Sequence, residues 1–247
     1  MLGEWTFTPI GAHVADVYRP AGLATTPALG LIFLHGAGGE SLRGQAAFTR
    51  LLDELQLPCV CPWGAQSWWS DRLLPSYHPT QSAMQYLLSD VLDWCRESWR
   101  LGPGRLGLFG ISMGGQGALR LAFMHPETFP VVAGIASALE PNQIMDDSAT
   151  LQEMYNSPEQ CRQDAAAMHI QPHQPPSRIY FCCDPDDLLW HRGNDRLHEK
   201  LAALGIAHEC DLMTRAGGHS WDYFSAMAEP TLQYLYQGLL EQSRRLL

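Results

Sequence analysis

Short apolar runs alternate along the chain with longer segments whose apolar residues recur every three or four positions. Runs of the first kind read as buried strands, and segments of the second kind as amphipathic helices. Residues 30–35 (GLIFLH), 57–62 (LPCVCP), 105–110 (RLGLFG), 131–137, 177–183 and 210–213 predict strands. Residues 82–99 predict a helix, with Met84, Leu87, Leu88, Val91, Leu92 and Cys95 at near-helical spacing. Further helices are predicted at 113–124, where Pro126 stops the run, at 197–204 and at 221–240. Val14, Val17 and Tyr18 within the first thirty residues predict one or two antiparallel edge strands. Strands alternating with helices in this way build a mostly parallel sheet with helices on both faces, so the fold class is α/β.

One segment breaks the rhythm. Residues 139–176 hold Pro141, Pro158, Pro172, Pro175 and Pro176 and have no strand signal. Within it, Ser157-Pro158-Glu159-Gln160 reads as a helix start, with serine as N-cap, proline at the first position and glutamine reaching back. A short helix to about Met168 should follow. An excursion at this point of such a fold would lie over the carboxyl ends of the strands, so it is expected as a cap-like addition to a single domain spanning 1–247.

The 247 residues suit one domain with a sizeable core. A net charge of −10 argues against nucleic acid and against anionic membrane surfaces as partners. No apolar stretch approaches the ~20 residues of a membrane span. Met1-Leu2-Gly3-Glu4-Trp5 lacks the basic start and apolar run of a secretory peptide. Seven cysteines, with no CxxC pair and no histidines at zinc spacing, read as reduced, packed thiols. The expected setting is cytoplasmic, as a monomer or a homodimer.

The chemistry concentrates at Gly110-Ile111-Ser112-Met113-Gly114, a G-x-S-x-G motif entered from a strand and left by a helix rich in small residues. A serine that attacks a carbonyl must stand at the tip of a sharp strand-to-helix turn. Side chains two positions to either side would collide there, so both are glycine. The helix beginning at Met113 aims its unpaired N–H groups at the developing oxyanion. A second donor is expected from Leu34-His35-Gly36-Ala37-Gly38-Gly39, and the backbone N–H groups of Ala37 and Met113 are the candidate oxyanion hole. His35 is expected to orient this loop.

Serine needs an imidazole to become a useful nucleophile. His219, in Ala216-Gly217-Gly218-His219-Ser220-Trp221, sits on a flexible turn between the last strand and the last helix. That is the third place in the order Ser…Asp…His. His13, His78, His125, His169, His173, His191, His198 and His208 lack such a setting and are expected at the surface or as caps. The acid belongs in the turn after 179–183, where Asp184, Asp186 and Asp187 are candidates and Asp187 is preferred. No phosphate loop, HExxH helix or dinucleotide fingerprint is present, and this chemistry calls for neither cofactor nor metal. Trp68 and Trp69 are candidate walls of a substrate pocket.

Together these motifs resemble the putative-esterase group of the α/β-hydrolases, which includes S-formylglutathione hydrolases and feruloyl esterases. The resemblance rests on LHGAGG, SWWSD, FGISMGGQGALRLAFMHPETFPVVAGIAS, CDPDDLLW and GGHSWDYF, and runs from Gly30 onward. It implies an α/β-hydrolase fold, with the nucleophile on Ser112, the general base on His219 and the acid on Asp187. Asp184 stands where the group has glycine, and Ile111 stands where S-formylglutathione hydrolases tend to have histidine. The implied activity is hydrolysis of small carboxylic esters, and by extension thioesters, through an acyl-enzyme on Ser112. Two other readings stay open: a serine peptidase or amidase, and a non-catalytic binding protein on the same fold.

Overall fold

A computed structural model describes residues 2–245. The elements run β1 (Glu4–Ile10), β2 (His13–Arg19), β3 (Gly30–Leu34), α1 (Ala46–Glu54), β4 (Cys59–Pro62), α2 (Ala83–Tyr86), α3 (Leu92–Trp99) and β5 (Leu106–Ile111). They continue through α4 (Met113–Met124), β6 (Val131–Ile135), α5 (Ala149–Met154), α6 (Pro158–Gln163), β7 (Arg178–Cys182), α7 (His191–Ala203), β8 (Glu209–Asp211), α8 (Trp221–Ala226) and α9 (Ala228–Arg245). The strands form one eight-stranded sheet in the order β1-β2-β4-β3-β5-β6-β7-β8. The β1–β2 hairpin and its join to β4 are antiparallel, and every pairing from β4 through to β8 is parallel.

The interior strands are apolar along their whole length because both faces are covered. Every residue of β3, β5 and β6 is buried. Gly107 faces Leu235 and Leu239 of α9, whereas Gly110, an odd number of residues on and therefore on the opposite face, abuts α4. Chain order reverses at β3, which has β4 on one side and β5 on the other. The carboxyl ends of β3 and β5 thus flank a topological switch point, where open α/β sheets bind ligands.

Several expectations need correction. The predicted helix 82–99 is a helical stretch interrupted by a π-helical turn at Leu87–Val91, between α2 and α3. The predicted helix 221–240 divides after Ala226. Pro230 is the cause, since its ring would strike the carbonyl four residues back and it offers no N–H to bond there. Helix α1 has no counterpart among the sequence signals, and its N-cap, Gln45, makes no capping bond.

The 139–176 excursion folds as a 3₁₀ turn (Pro141–Asp147), α5, α6 and a second 3₁₀ turn (Ala166–Met168). Ser157 does cap α6, its hydroxyl accepting from the N–H of Gln160, while Gln160 Oε1 accepts from the N–H of Asn156. The excursion docks on α4. Gln116 Oε1 accepts from the N–H of Ala166 at 2.7 Å, and the buried Arg120 guanidinium pairs with Asp164. It contributes no lining residue to the cleft at Ser112, so it flanks the site and does not cap it.

Candidate active site

Strand β5 leads into Ser112, whose φ of 57° and ψ of −120° lie outside the regions L-residues favour. Such strain persists only where its surroundings hold it. Here the N–H of Ser112 donates to the carbonyl of Ile135 at 2.9 Å, and its carbonyl accepts from Gln116 and Ala138. The flanking glycines are steric necessities. A Cβ on Gly110 would lie 2.2 Å from the carbonyl oxygen of Gly114, and one on Gly114 would lie 1.9 Å from that of Leu34. The turn can therefore press helix α4 against both β5 and the loop after β3.

His219 Nε2 lies 3.0 Å from Ser112 Oγ, and its Nδ1 lies 2.7 Å from Asp187 Oδ2. Gly217 and Gly218, both at positive φ, let the turn project the imidazole. Ser220 caps α8 just behind it, so capping and presentation of the imidazole coexist in one turn. The ring of Phe224 meets that of His219 edge-on at 5.2 Å. Asp187 is 2% exposed, and its other oxygen accepts from the N–H of Trp190 at 3.0 Å. A buried carboxylate on Nδ1 selects the tautomer whose Nε2 has a lone pair toward the serine.

The other two aspartates of the turn do different things. Asp184 is buried and accepts the N–H groups of Asp186, Ala216 and Gly218 at 2.6–2.9 Å, which ties the acid turn to the histidine turn. Burial opposes its charge, but the three donors outweigh it and hold its carboxyl below the usual range. Asp186 pairs at the surface with Arg215. Of the three, only Asp187 bonds the imidazole.

The loop after β3 brings Gly36 against Ser112: a Cβ there would lie 3.3 Å from Ser112 Cβ. His35 fixes this loop. Its Nε2 accepts from the N–H of Gly64 at 2.9 Å and its Nδ1 donates to the carbonyl of Gly36 at 2.7 Å. Burial lowers its pKa, and the two bonds define a neutral imidazole. Among the described residues, neither the N–H of Ala37 nor that of Met113 donates to a protein acceptor.

These groups open on a cleft of about 330 Å³ lined by Phe33, Gly36, Ala37, Gly38, Glu40, Ile111, Ser112, His219, Ser220, Trp221 and Phe224. The tryptophans expected as pocket walls lie elsewhere. Trp69 is fully buried, its indole N–H donating to the carbonyl of His35 and its ring packed over Gly64 and Gly117. Trp68 is buried too, and neither lines the cleft. Both residues have positive φ, and Trp69 supports the loop after β3 through its bond to His35. The aromatic wall comes instead from Trp221 and Phe224, one helical turn apart on α8. Their spacing three residues apart, just after His219, was the available signal. Ile111 extends the apolar lining.

Comparison with known proteins shows the family and the fold. A family model described as "Putative esterase" matches residues 17–232. The chain belongs to this esterase family. Its fold is that of α/β-hydrolases: an S-formylglutathione hydrolase from Agrobacterium tumefaciens superposes with a TM-score of 0.79 at 18% identity, covering 96% of this chain and 95% of the other. A CE1 ferulic acid esterase from Anaeromyces mucronatus superposes with a TM-score of 0.71 at 16% identity, over 97% and 93%. In sequence, the chain is 28% identical over 139 residues to the diacylglycerol acyltransferase/mycolyltransferase Ag85A of Mycobacterium tuberculosis, over 51% of this chain. The match spans 39% of the length of that relative. Among the described residues, no helix of this family member is long and apolar enough to cross a membrane.

Proposed function

We propose that the chain hydrolyses small carboxylic esters through an acyl-enzyme on Ser112. The observation that carries this reading is the unbroken line of hydrogen bonds from buried Asp187 through His219 to Ser112 Oγ, opening on the cleft. In the first half-reaction His219 Nε2 takes the hydroxyl proton as Ser112 Oγ bonds to the substrate carbonyl carbon. The oxyanion that forms would be met by the free N–H groups of Ala37 and Met113. The imidazolium, stabilised by Asp187, then gives its proton to the leaving alkoxide. Water then bonds to the acyl carbon as it loses a proton to His219, and the acid leaves when the bond to Ser112 Oγ breaks and His219 returns that proton to Oγ. Thioesters follow the same path with a thiolate leaving group.

The cleft volume lies near the lower end of small-molecule sites, which favours short acyl groups. Phe33, Ile111, Trp221 and Phe224 give it apolar walls, and Glu40 places a carboxylate at its rim. Neutral substrates are therefore favoured over anionic ones. The 28% identity to an acyltransferase motivates a second reading, in which an alcohol replaces water in the second step.

Turnover of p-nitrophenyl acetate, butyrate and octanoate, with product analysis in the presence of added alcohol, tests both. The expected result is preference for the shorter esters and loss of at least about 10⁴-fold in kcat for Ser112→Ala and for His219→Ala. Turnover retained by Ser112→Ala would overturn the proposal. Ester formation outpacing hydrolysis at modest alcohol would select the transferase reading.

A further inference from the structure

At the β8 edge of the sheet, three side chains with no place in the cleft converge. His198 on α7, His208 in the following loop and Cys210 on β8 bring ligand atoms within 4.8 Å of one another. Nine residues separate the two histidines and one separates His208 from Cys210, a spacing outside the usual zinc motifs. Both histidines were expected as surface or capping residues; folding of the α7–β8 unit makes them a cluster.

From this we infer a binding site for a zinc-class divalent transition-metal ion, with His198, His208 and Cys210 as ligands. Two imidazoles and a thiolate form a donor set suited to zinc. The distances are close to what such an ion needs. With Zn–N near 2.0–2.1 Å and Zn–S near 2.3 Å, tetrahedral edges are about 3.3 Å for N···N and about 3.6 Å for N···S. The observed separations are 2.8 Å between His198 Nδ1 and His208 Nε2, and 3.4 Å between Cys210 Sγ and His198 Nδ1. For these two pairs, movements of a few tenths of an ångström reach the ideal edges, and the third pair lies within 4.8 Å.

The tautomers are also arranged for it. His208 Nδ1 lies 2.8 Å from the carbonyl of Ile206, which can only accept, so the proton sits on Nδ1 and Nε2 carries a lone pair. The ring is further held by stacking on Phe181, with centroids 5.8 Å apart. His198 Nδ1 donates to that lone pair, and its own lone pair appears once the proton moves to Nε2 on its other side. The ion takes the place of this shared proton. Coordination also releases the Cys210 thiol proton to solvent. Three protein ligands leave one tetrahedral position for water.

Accessibility makes the site testable, because Cys210 is half-buried and the other six cysteines are buried. Titration of the metal-free full chain with Co²⁺ should yield, at one equivalent, a thiolate-to-cobalt charge-transfer band in the near ultraviolet and tetrahedral visible bands. Zn²⁺ should bleach both and raise the Tm by mass action. Cys210→Ser should abolish the charge-transfer band, and His208→Gln should weaken Co²⁺ binding by at least about 10-fold. Absence of the band in the unmodified chain, which needs no variant to interpret, would overturn the assignment. So would a band that survives Cys210→Ser.

Discussion

Asp184 and Asp187 lie three residues apart in one turn, yet their partners differ in kind. Asp187 holds an imidazole, and Asp184 holds three backbone N–H groups. Replacing each by Asn separates their contributions. Asp187→Asn should lower kcat by about 10⁴-fold with little change in stability, because an amide on Nδ1 favours the wrong tautomer. Asp184→Asn should instead lower stability by about 1–3 kcal/mol, measured by urea unfolding, because an amide cannot satisfy donors arriving at both of its terminal atoms. The larger kcat loss at Asp184 would contradict this division. Since the folded-state pKa of Asp184 is depressed, its contribution is complete above the unfolded carboxylate value of about 4 and is lost as pH falls through the folded value. Gly114 offers a third test at this scale. With a Cβ 1.9 Å from Leu34 O, Gly114→Ala must displace strand or helix and should destabilise by more than about 1 kcal/mol while collapsing activity.

Among the elements, the excursion between β6 and β7 is anchored by a buried charge. Arg120, 3% exposed, meets Asp164 in the ion pair, and Tyr155 donates to the same carboxylate at 2.7 Å. Burial opposes the Asp164 charge, but His169, Arg120 and Tyr155 outweigh it and bring its pKa down to about 2. Arg120→Met should remove the buried cation from that carboxylate and cost about 3–5 kcal/mol. Adding Asp164→Leu should recover much of the loss. Because the excursion does not line the cleft, kcat per folded molecule should stay near that of the unmodified protein, and a fall of more than about 10-fold would place the excursion in the catalytic machinery. For this pair too, stability present above about pH 4 should drain away as pH falls toward 2.

The same scale shows what was legible in sequence. The strands that became β3, β5, β6 and β7 are short apolar runs, and burial on both faces leaves little room for other readings. The serine turn was legible for a similar reason: glycines at 110 and 114 mark positions where backbone meets backbone. Helix α1 was not, since it has no capping side chain and buries only Phe48, Leu51 and Leu52. The π-helical turn was invisible because it keeps the helical spacing on either side. The tryptophan pair misled because large apolar residues beside a motif look alike whether they wall a pocket or support it. Burial of both residues and their place outside the cleft lining distinguish the two cases.

Across the whole molecule, the charge of −10 and the Glu40 carboxylate at the cleft act in the same direction. Esters bearing a carboxylate should show lower kcat/KM than neutral isosteres, with the gap narrowing as salt shortens the Debye length below ~10 Å. Glu40→Gln should narrow it further without altering the rate for neutral esters. A gap indifferent to both salt and Glu40 would mean that shape, and not field, sets the preference.

All of this presupposes that the hydroxyl of residue 112 is activated by the imidazole of residue 219. Reaction with a fluorophosphonate, followed by peptide mass spectrometry, interrogates that pairing directly. The expected outcome is one phosphonyl group per chain, carried on Ser112, absent in Ser112→Ala and formed far more slowly in His219→Ala. A label on another residue, or labelling of Ser112 at an unchanged rate without His219, would contradict the account.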